Sequence, residues 1–589
     1  MPEARARRKG KARGKPAAPA APPARKAGSR GWIYGAAVMV GLAVVFIVYG
    51  PAMSGPFVFD DLYQPYQRPN FPSALNAWIH GVRPLLMVSY WMNYQFSQDP
   101  AGFHLTNILI HILNGILIFF VVRKVQELGA PPPGPRAPSS PLLAAFAAAV
   151  FLLHPLQTES VSYIAGRSET LSVLFFLGAF AVFLYRGSAA VSWKTAIAVL
   201  ALFGAAVATK EHTLVLPALL LLTDYYWNPG FSLAGVRRNW RLYVPIALGA
   251  VGGGVFVAGV LSRAGTAGFG LKEFTWYQYF FTQCRAFFVY LRLLVLPFGQ
   301  DIDWDYPISR GILDHGAIIG LLAIGALVAA AIYYRRRFPL ASYGFLVYLL
   351  LMAPTSSFVP IKDPIAERRL YLPMIGMLLV AVAALRRVRL DRARLAAAMC
   401  GVAAVLAFLT WQRNQVWAGE IALWEDAASK SPAKARVHFQ LAHAYAKYRR
   451  YADAGKQYAA AAAAEPPTYE LLYDWGLALT DGGHPDQGLD KLKQAAALDA
   501  TAQVDTEIAR AYILQRRWPE ALDALAQAEK RNPNYYMIYD NRGGVRANTG
   551  DLAGAMADYQ HSLELNPYNN HARQMLAVVA RRLQRQAKR

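Results

Sequence analysis

Apolar residues come in long runs over the first two thirds of the chain. They lie at about 32–52, 105–122, 141–153, 169–185, 191–208, 213–226, 242–261, 315–334, 338–353, 370–385 and 395–411, with polar segments between them. A helix needs roughly 20 apolar residues to cross a bilayer. The runs therefore predict an all-α, polytopic bundle of about 11 spans, the shorter runs crossing with tilt or as half-spans. Gly31 to Phe59 carries no charge and is longer than the apolar core of a signal peptide, so a retained first span is expected. The aromatic segment 274–298 is an exception. Counted as a span, it would move Arg335, Arg336 and Arg337 to the wrong side, so it reads as an interfacial or re-entrant helix.

Beyond residue 411 the pattern changes to a repeat. Pro432, Pro466, Ala500, Pro533 and Pro567 are separated by 34, 34, 33 and 34 residues. Ala454, Gly488, Ala521 and Ala555 keep that step, and so do Tyr458, Leu492, Leu525 and Tyr559. A period of 34, with a small residue where two helices cross and a proline where the second stops, is the tetratricopeptide signature. The chain thus divides into a basic tail (1–31), a membrane domain (32–411), a junction helix (412–432) and a repeat α-solenoid (433–589). Stacked units of this kind form a groove for a peptide or protein segment.

Composition supports the membrane reading. Of 589 residues, 55% are hydrophobic and only 17% charged, against roughly 25% charged in soluble domains. The net charge of +24 raises nucleic acid as a partner, but the distribution argues against it. Residues 1–30 hold ten basic residues and one acid, Glu3, and are expected to be disordered, while 129–141 reads as a Pro-rich cytoplasmic linker. The other clusters, Arg123-Lys124, Arg186, Arg237-Arg238, Arg335 to Arg337 and Arg386-Arg387, flank apolar runs. They are spaced like cytoplasmic anchors rather than gathered on one face. With the tail inside, loops 53–104, 154–168, 209–212, 262–314 and 354–369 face outward. The repeats then lie in the periplasm of a bacterium, the bundle in its inner membrane; one miscounted span would place them in the cytoplasm. Cys284 and Cys400 make no disulfide framework and read as buried hydrophobes.

The outward loops gather acids beside isolated cations, which near lipid points to a site. Asp60 and Asp61 stand just past the first span. They read either as a solvated helix cap or as a general base beside a second carboxylate that binds acceptor or metal. His104, Asn107 and His111 share one helix face, suited to interhelical hydrogen bonds or to a metal. Asp301, Asp303 and Asp305, alternating in DIDWD, read as a solvated loop, and Tyr371 as an interfacial anchor.

The order FVFDD (57–61), RPL (83–85), HLTNILIHILN (104–114), HPLQTESVSYIAGRSE (154–169), KE (210–211) and ERRLYLP (367–373) resembles the transmembrane and tetratricopeptide-repeat O-mannosyltransferases, of the GT-C class. RNQVWAGEIALWEDAASKSP (413–432) resembles that family's junction into its repeats. The resemblance implies a membrane glycosyltransferase that moves mannose or another hexose from a polyprenyl-phosphate donor to Ser/Thr hydroxyls of a secreted protein held by the repeats. Asp60 matches the presumed base of the family's acidic pair and Asp61 its partner. Arg167, Lys210, Arg368 and Arg83 are then candidates for the donor phosphate. His154, Glu159, Glu169 and Glu211 are candidates for acceptor or donor binding. Other readings stand beside these. Arg167 and Glu169 can form an ion pair within their loop, His154 can hold a loop, and Glu211 can pair with Lys210 or Arg167. No nucleotide or nucleic-acid partner is implied, and a divalent cation stays open. Two alternatives remain: a non-catalytic scaffold anchoring the repeats in an envelope complex, and transfer to a lipid or glycan.

Overall fold

The computed structural model describes residues 31–68, 71–129, 139–263 and 267–587. The basic tail and most of the Pro-rich linker lie outside them. The chain forms two units, Met1–Val44 and Val45–Arg589. The first contributes the start of the apolar helix Gly31–Tyr49; everything below concerns the second.

The fold is all-helical, with no strand among the described residues and one isolated bridge, Ala267 to Ile361. Each apolar run falls on a helix. By length and composition, Gly35–Ser54, Pro100–Gly129, Ile164–Leu184, Asp314–Arg336 and Arg392–Trp417 can cross a membrane. Ser140–Leu153 and Pro155–Val161 join at 53° as a sixth, broken span. Other runs fold as shorter apolar helices, Trp193–Val207, Pro339–Met352 and Met374–Leu385. The segment read as interfacial or re-entrant is the helix Trp276–Val295, which is not among those apolar enough to cross.

The helices segregate charge between two ends. Pro100–Gly129 spans 30 residues, about 45 Å at 1.5 Å per residue. Near its start His104 bonds the Gly55 carbonyl at 3.1 Å; near its end Lys124 sits over the Tyr185 ring. Around Lys124 the other basic clusters collect. Arg386 donates to the Gln126 carbonyl, Arg387 lies over Phe338, and Arg336 over Phe231. Arg186 does more than anchor. It pairs at 2.7 Å with the fully buried Asp224, which also accepts from Asn239 and Tyr243.

In the repeat half the periodic positions fall where a solenoid needs them. The pairs are Ala435–Lys447 with Tyr451–Ala464, Tyr469–Asp481 with Pro485–Leu498, Ala502–Leu514 with Trp518–Arg531, and Tyr536–Thr549 with Leu552–Leu565. Asn570–Ala587 follows. Ala454, Ala521 and Ala555 are fully buried, as are Leu492, Leu525 and Tyr559. A Cβ on Gly488 would collide with the Gly476 carbonyl at 2.8 Å, so this pair packs backbone to backbone.

The repeats are joined to the bundle by more than a linker. Two residues, Ala418 and Gly419, separate Arg392–Trp417 from Glu420–Lys430. Trp417, Leu423 and Trp424 share one apolar cluster with Val437 and Leu441 of the first repeat. Val58, Tyr163 and Ile302 from three bundle loops enter the same cluster.

Within the bundle, Pro339–Met352 and Met374–Leu385 approach at Gly344 and Gly376. A Cβ on Gly376 would stand 2.5 Å from the Gly344 carbonyl oxygen, which is backbone and cannot yield. Overpacking of this kind costs about 1–3 kcal/mol. Gly376→Ala is therefore expected to lower the melting temperature of the detergent-solubilised protein. Gly325→Ala, where nothing lies within 4 Å, leaves it unchanged or slightly raised.

Candidate functional site

The site is built around one turn. Val58 is extended, and Phe59 enters the turn Phe59–Tyr63 at φ +53°, a conformation few non-glycine residues adopt. Asp61 holds it there. Its carboxylate is fully buried and accepts the Val58 N–H at 3.1 Å and the Ala165 N–H at 2.8 Å. The second bond ties this turn to the loop 163–166. Tyr163 reinforces the tie, its hydroxyl accepting the Asp60 N–H at 2.9 Å and its ring stacking on Trp417. Gly166 is required at the crossing, since a Cβ there would meet the Ser160 carbonyl at 2.6 Å.

With Asp61 turned inward, Asp60 is exposed. It lines a cavity of about 660 Å³ together with Arg83, Glu169, Lys210, Glu211 and Arg368. These residues come from five segments far apart in the chain. Lys362, Asp363, Arg369 and, from the first repeat helix, Arg436 complete the charged lining. Six cations thus face four acids. Most are paired. Arg83 donates twice to Glu211, at 3.0 and 2.9 Å. Lys210 pairs with Glu169 and donates to Ser168. Arg368 grips the buried Glu159 through its side chain and through its backbone N–H at 2.8 Å. The Asp60 carboxylate enters no ion pair among the described residues; its side chain hydrogen-bonds with the Tyr163 hydroxyl.

Burial and pairing set the protonation states. Burial alone would raise Glu211, but the two Arg83 bonds hold its carboxyl below the ordinary range. Burial lowers Lys210, with Arg83 nearby adding to the effect against the pull of Glu169. Burial also opposes the charge on Arg368, yet Glu159 keeps that guanidinium above its usual value. His212 lines the cavity as a neutral imidazole, pushed down to about 4 by burial.

The structure brings Asp60, Arg83, Glu169, Lys210, Glu211 and Arg368 together around one cavity, and Glu159 stands directly behind Arg368. Three other expected residues are turned away. Asp61 is buried under the turn and does not share a cradle with Asp60. Arg167 is fully buried, donating to Asn107 and to the Ser89 and Phe103 carbonyls while lying over the Tyr90 ring. No phosphate can reach it. His154 accepts the Leu156 N–H and bonds the Leu294 carbonyl, so both ring nitrogens serve the fold. Glu211 pairs with Arg83 rather than with Lys210 or Arg167.

The histidine face also serves the bundle. Asn107 donates to the carbonyls of Val161, Tyr163 and Ile164, and His111 bonds the Tyr371 hydroxyl at 2.8 Å. Tyr371 is buried rather than interfacial. No cluster of three or more His, Cys, Asp or Glu suited to a metal ion occurs among the described residues.

In DIDWD only Asp305 is exposed to solvent; Asp301 and Asp303 are buried. Asp303 is buried and pairs with Lys434 and Arg436, and Asp301 accepts from Ser431 at 2.7 Å. Arg436 and His212 were missed from sequence. The available clue to Arg436 was three cations, Lys430, Lys434 and Arg436, in the segment that enters the repeats.

No family model matches the chain. It is similar to protein O-mannosyl-transferase TMTC4 of Homo sapiens, at 26% identity over 492 residues, 71% of this chain and 64% of that protein. Protein O-mannosyl-transferase F38B6.6 of Caenorhabditis elegans is 21% identical, over 72% and 61% of the two chains. TMTC3 of Mus musculus is 24% identical, over 82% and 53%. The chain thus spans less than two thirds of the length of these relatives. Among solved structures it is similar to YrrB, a TPR protein, at 18% identity and TM-score 0.24, covering 26% of this chain and 80% of that one. MamA gives 18% and 0.24, covering 25% and 86%.

Burial pushes Asp61 from an ordinary 3.8 up to about 8, against the Val58 and Ala165 hydrogen bonds that pull it back. The fold thus favours the neutral acid. Its stabilisation is complete below the lower value and is lost as pH rises through the higher one. Wild-type melting temperature is expected to fall relative to Asp61→Asn between about pH 4 and pH 8. Parallel melting curves across that window would remove Asp61 as the titrating group.

Proposed function

We propose that the chain is a polytopic membrane glycosyltransferase. It moves a hexose, mannose by its likeness to the named relatives, from a polyprenyl phosphate to a Ser or Thr hydroxyl of a protein. Residues 32–411 would carry the transfer, 412–432 the junction, and 433–589 the acceptor. The observation that carries this reading is the exposed carboxylate of Asp60, held in no ion pair, in a cavity where cations outnumber acids. A scaffold has no use for such an arrangement.

The chemistry follows from the lining. The acceptor oxygen attacks the anomeric carbon while the bond from that carbon to the phosphate oxygen breaks. Asp60 takes the hydroxyl proton, and the lipid phosphate leaves with the bonding electrons. In a single displacement the anomeric configuration inverts. Charge builds on the leaving phosphate, where Lys210, Arg83, Arg368 and Lys362 line the cavity. Asp61 holds the turn that presents Asp60 and does not touch substrate.

Orientation follows from the positive-inside rule. The end holding Lys124, Arg186, Arg336 and Arg386 would face the cytoplasm. The cavity and the repeats would face the periplasm, in the inner membrane of a bacterium.

Asp60→Asn is expected to cut transfer from polyprenyl-phosphate mannose to a Ser/Thr peptide about 10²- to 10⁴-fold. The melting temperature should hardly move, since the residue is exposed and in no ion pair. Undiminished transfer by the folded variant in proteoliposomes would falsify the assignment.

A further inference from the structure

The first repeat helix does more than begin the solenoid. Arg436, near the start of Ala435–Lys447, reaches out of the repeat half and lines the cavity. Its guanidinium donates through Nε to Asp303 at 2.6 Å and through Nη2 to both Asp303 and Asp363, the latter at 2.6 Å. Its Cζ also lies 5.6 Å from the centre of the Phe59 ring. Phe59 is the residue in the strained backbone conformation, and Asp60 follows it directly. Phe59 also meets Trp424 edge-on, the ring centres 5.7 Å apart. The phenyl ring thus contacts both the junction helix and the first repeat.

Planar geometry is what this position uses. One guanidinium donates to two carboxylates while its Cζ lies over an aromatic ring. An ammonium supplies charge to one acid but neither the fork nor the flat face. Both carboxylates come from bundle loops and the arginine from the repeats, so the contact forms only when the two halves dock. Burial would raise Asp363, and Arg436 keeps it below its ordinary range, so the pair is charged at neutral pH.

We propose that Arg436 is a positioning residue for Asp60, so that the repeat half completes the transfer site as well as holding the acceptor. The inference rests on the function proposed above. Held by Arg436, Phe59 keeps its left-handed turn and Asp60 points into the cavity. Released, the turn relaxes to an ordinary conformation and the carboxylate moves. Transfer to any acceptor, including a lipid, then depends on the first repeat.

The test uses the full-length protein in proteoliposomes, with polyprenyl-phosphate mannose and a short synthetic Ser/Thr peptide. Arg436→Ala is expected to lower kcat about 10- to 100-fold, the penalty of a misplaced catalytic group. The KM for peptide should stay within about twofold, because peptide docking is not what Arg436 supports. Arg436→Lys should recover part of the lost kcat. Asp363→Asn, which keeps the Asp303 bonds, should give a smaller fall of the same kind and decides the matter if Arg436→Ala does not fold. An unchanged kcat, or a loss confined to KM, would overturn the inference. Normal turnover in Arg436→Ala beside an inactive Asp60→Asn would overturn it alone, whereas an active Asp60→Asn overturns the reading beneath it.

Discussion

A carboxyl group with no access to water organises this site. Asp61 accepts one backbone N–H from its own turn and another from the loop before Arg167. Burying a carboxyl group is costly unless it is hydrogen-bonded, and these bonds can be met only when the two loops lie against each other. Everything that touches the cavity on this side follows from that contact. It orients Asp60 outward, seats Tyr163 against Trp417, and brings the start of the helix Arg167–Leu184, with Ser168 and Glu169, to the cavity edge.

The same logic couples the two halves of the chain. Asp303 is buried between Lys434 and Arg436, and Glu420 between the junction and Lys447. Buried ion pairs of this kind add little net stability, because desolvation offsets the attraction, but breaking one strands a charge. Their effect is to fix register. The repeats dock in one position because the alternatives leave Asp303 or Asp301 without partners. The apolar cluster of Trp417, Trp424 and Val437 with Val58 and Tyr163 supplies the affinity, and the ion pairs supply the geometry.

The site was half legible in the sequence, and the missing half has a common cause. Asp60, Arg83, Lys210, Glu211 and Arg368 were recognisable as charges with no topological reason to sit at span ends. Sequence cannot say which way such a side chain points. Arg167 and Lys210 look alike as isolated cations beside apolar helices. One is enclosed by carbonyls and aromatic rings, the other lines the cavity. The binding role considered for His154 and the solvated reading of Asp301 and Asp303 failed for the same reason, since partners of these residues lie more than 100 residues away.

Periodicity and local charge settled what depends on neighbours in the chain. The step of 34 gave the helix pairs and their crossings, because each unit buries its own small residues against the next. The apolar runs gave the helices, because an uncharged stretch long enough to cross a bilayer has few other uses. The docking of the first repeat against the bundle loops was decided by tertiary structure alone. Asp303 and Arg436 are 133 positions apart, and neither has a local pattern that names the other. Whether a charge is a surface ornament, a buried strut or the wall of a cavity depends on what folds against it, and that is a property of three-dimensional packing.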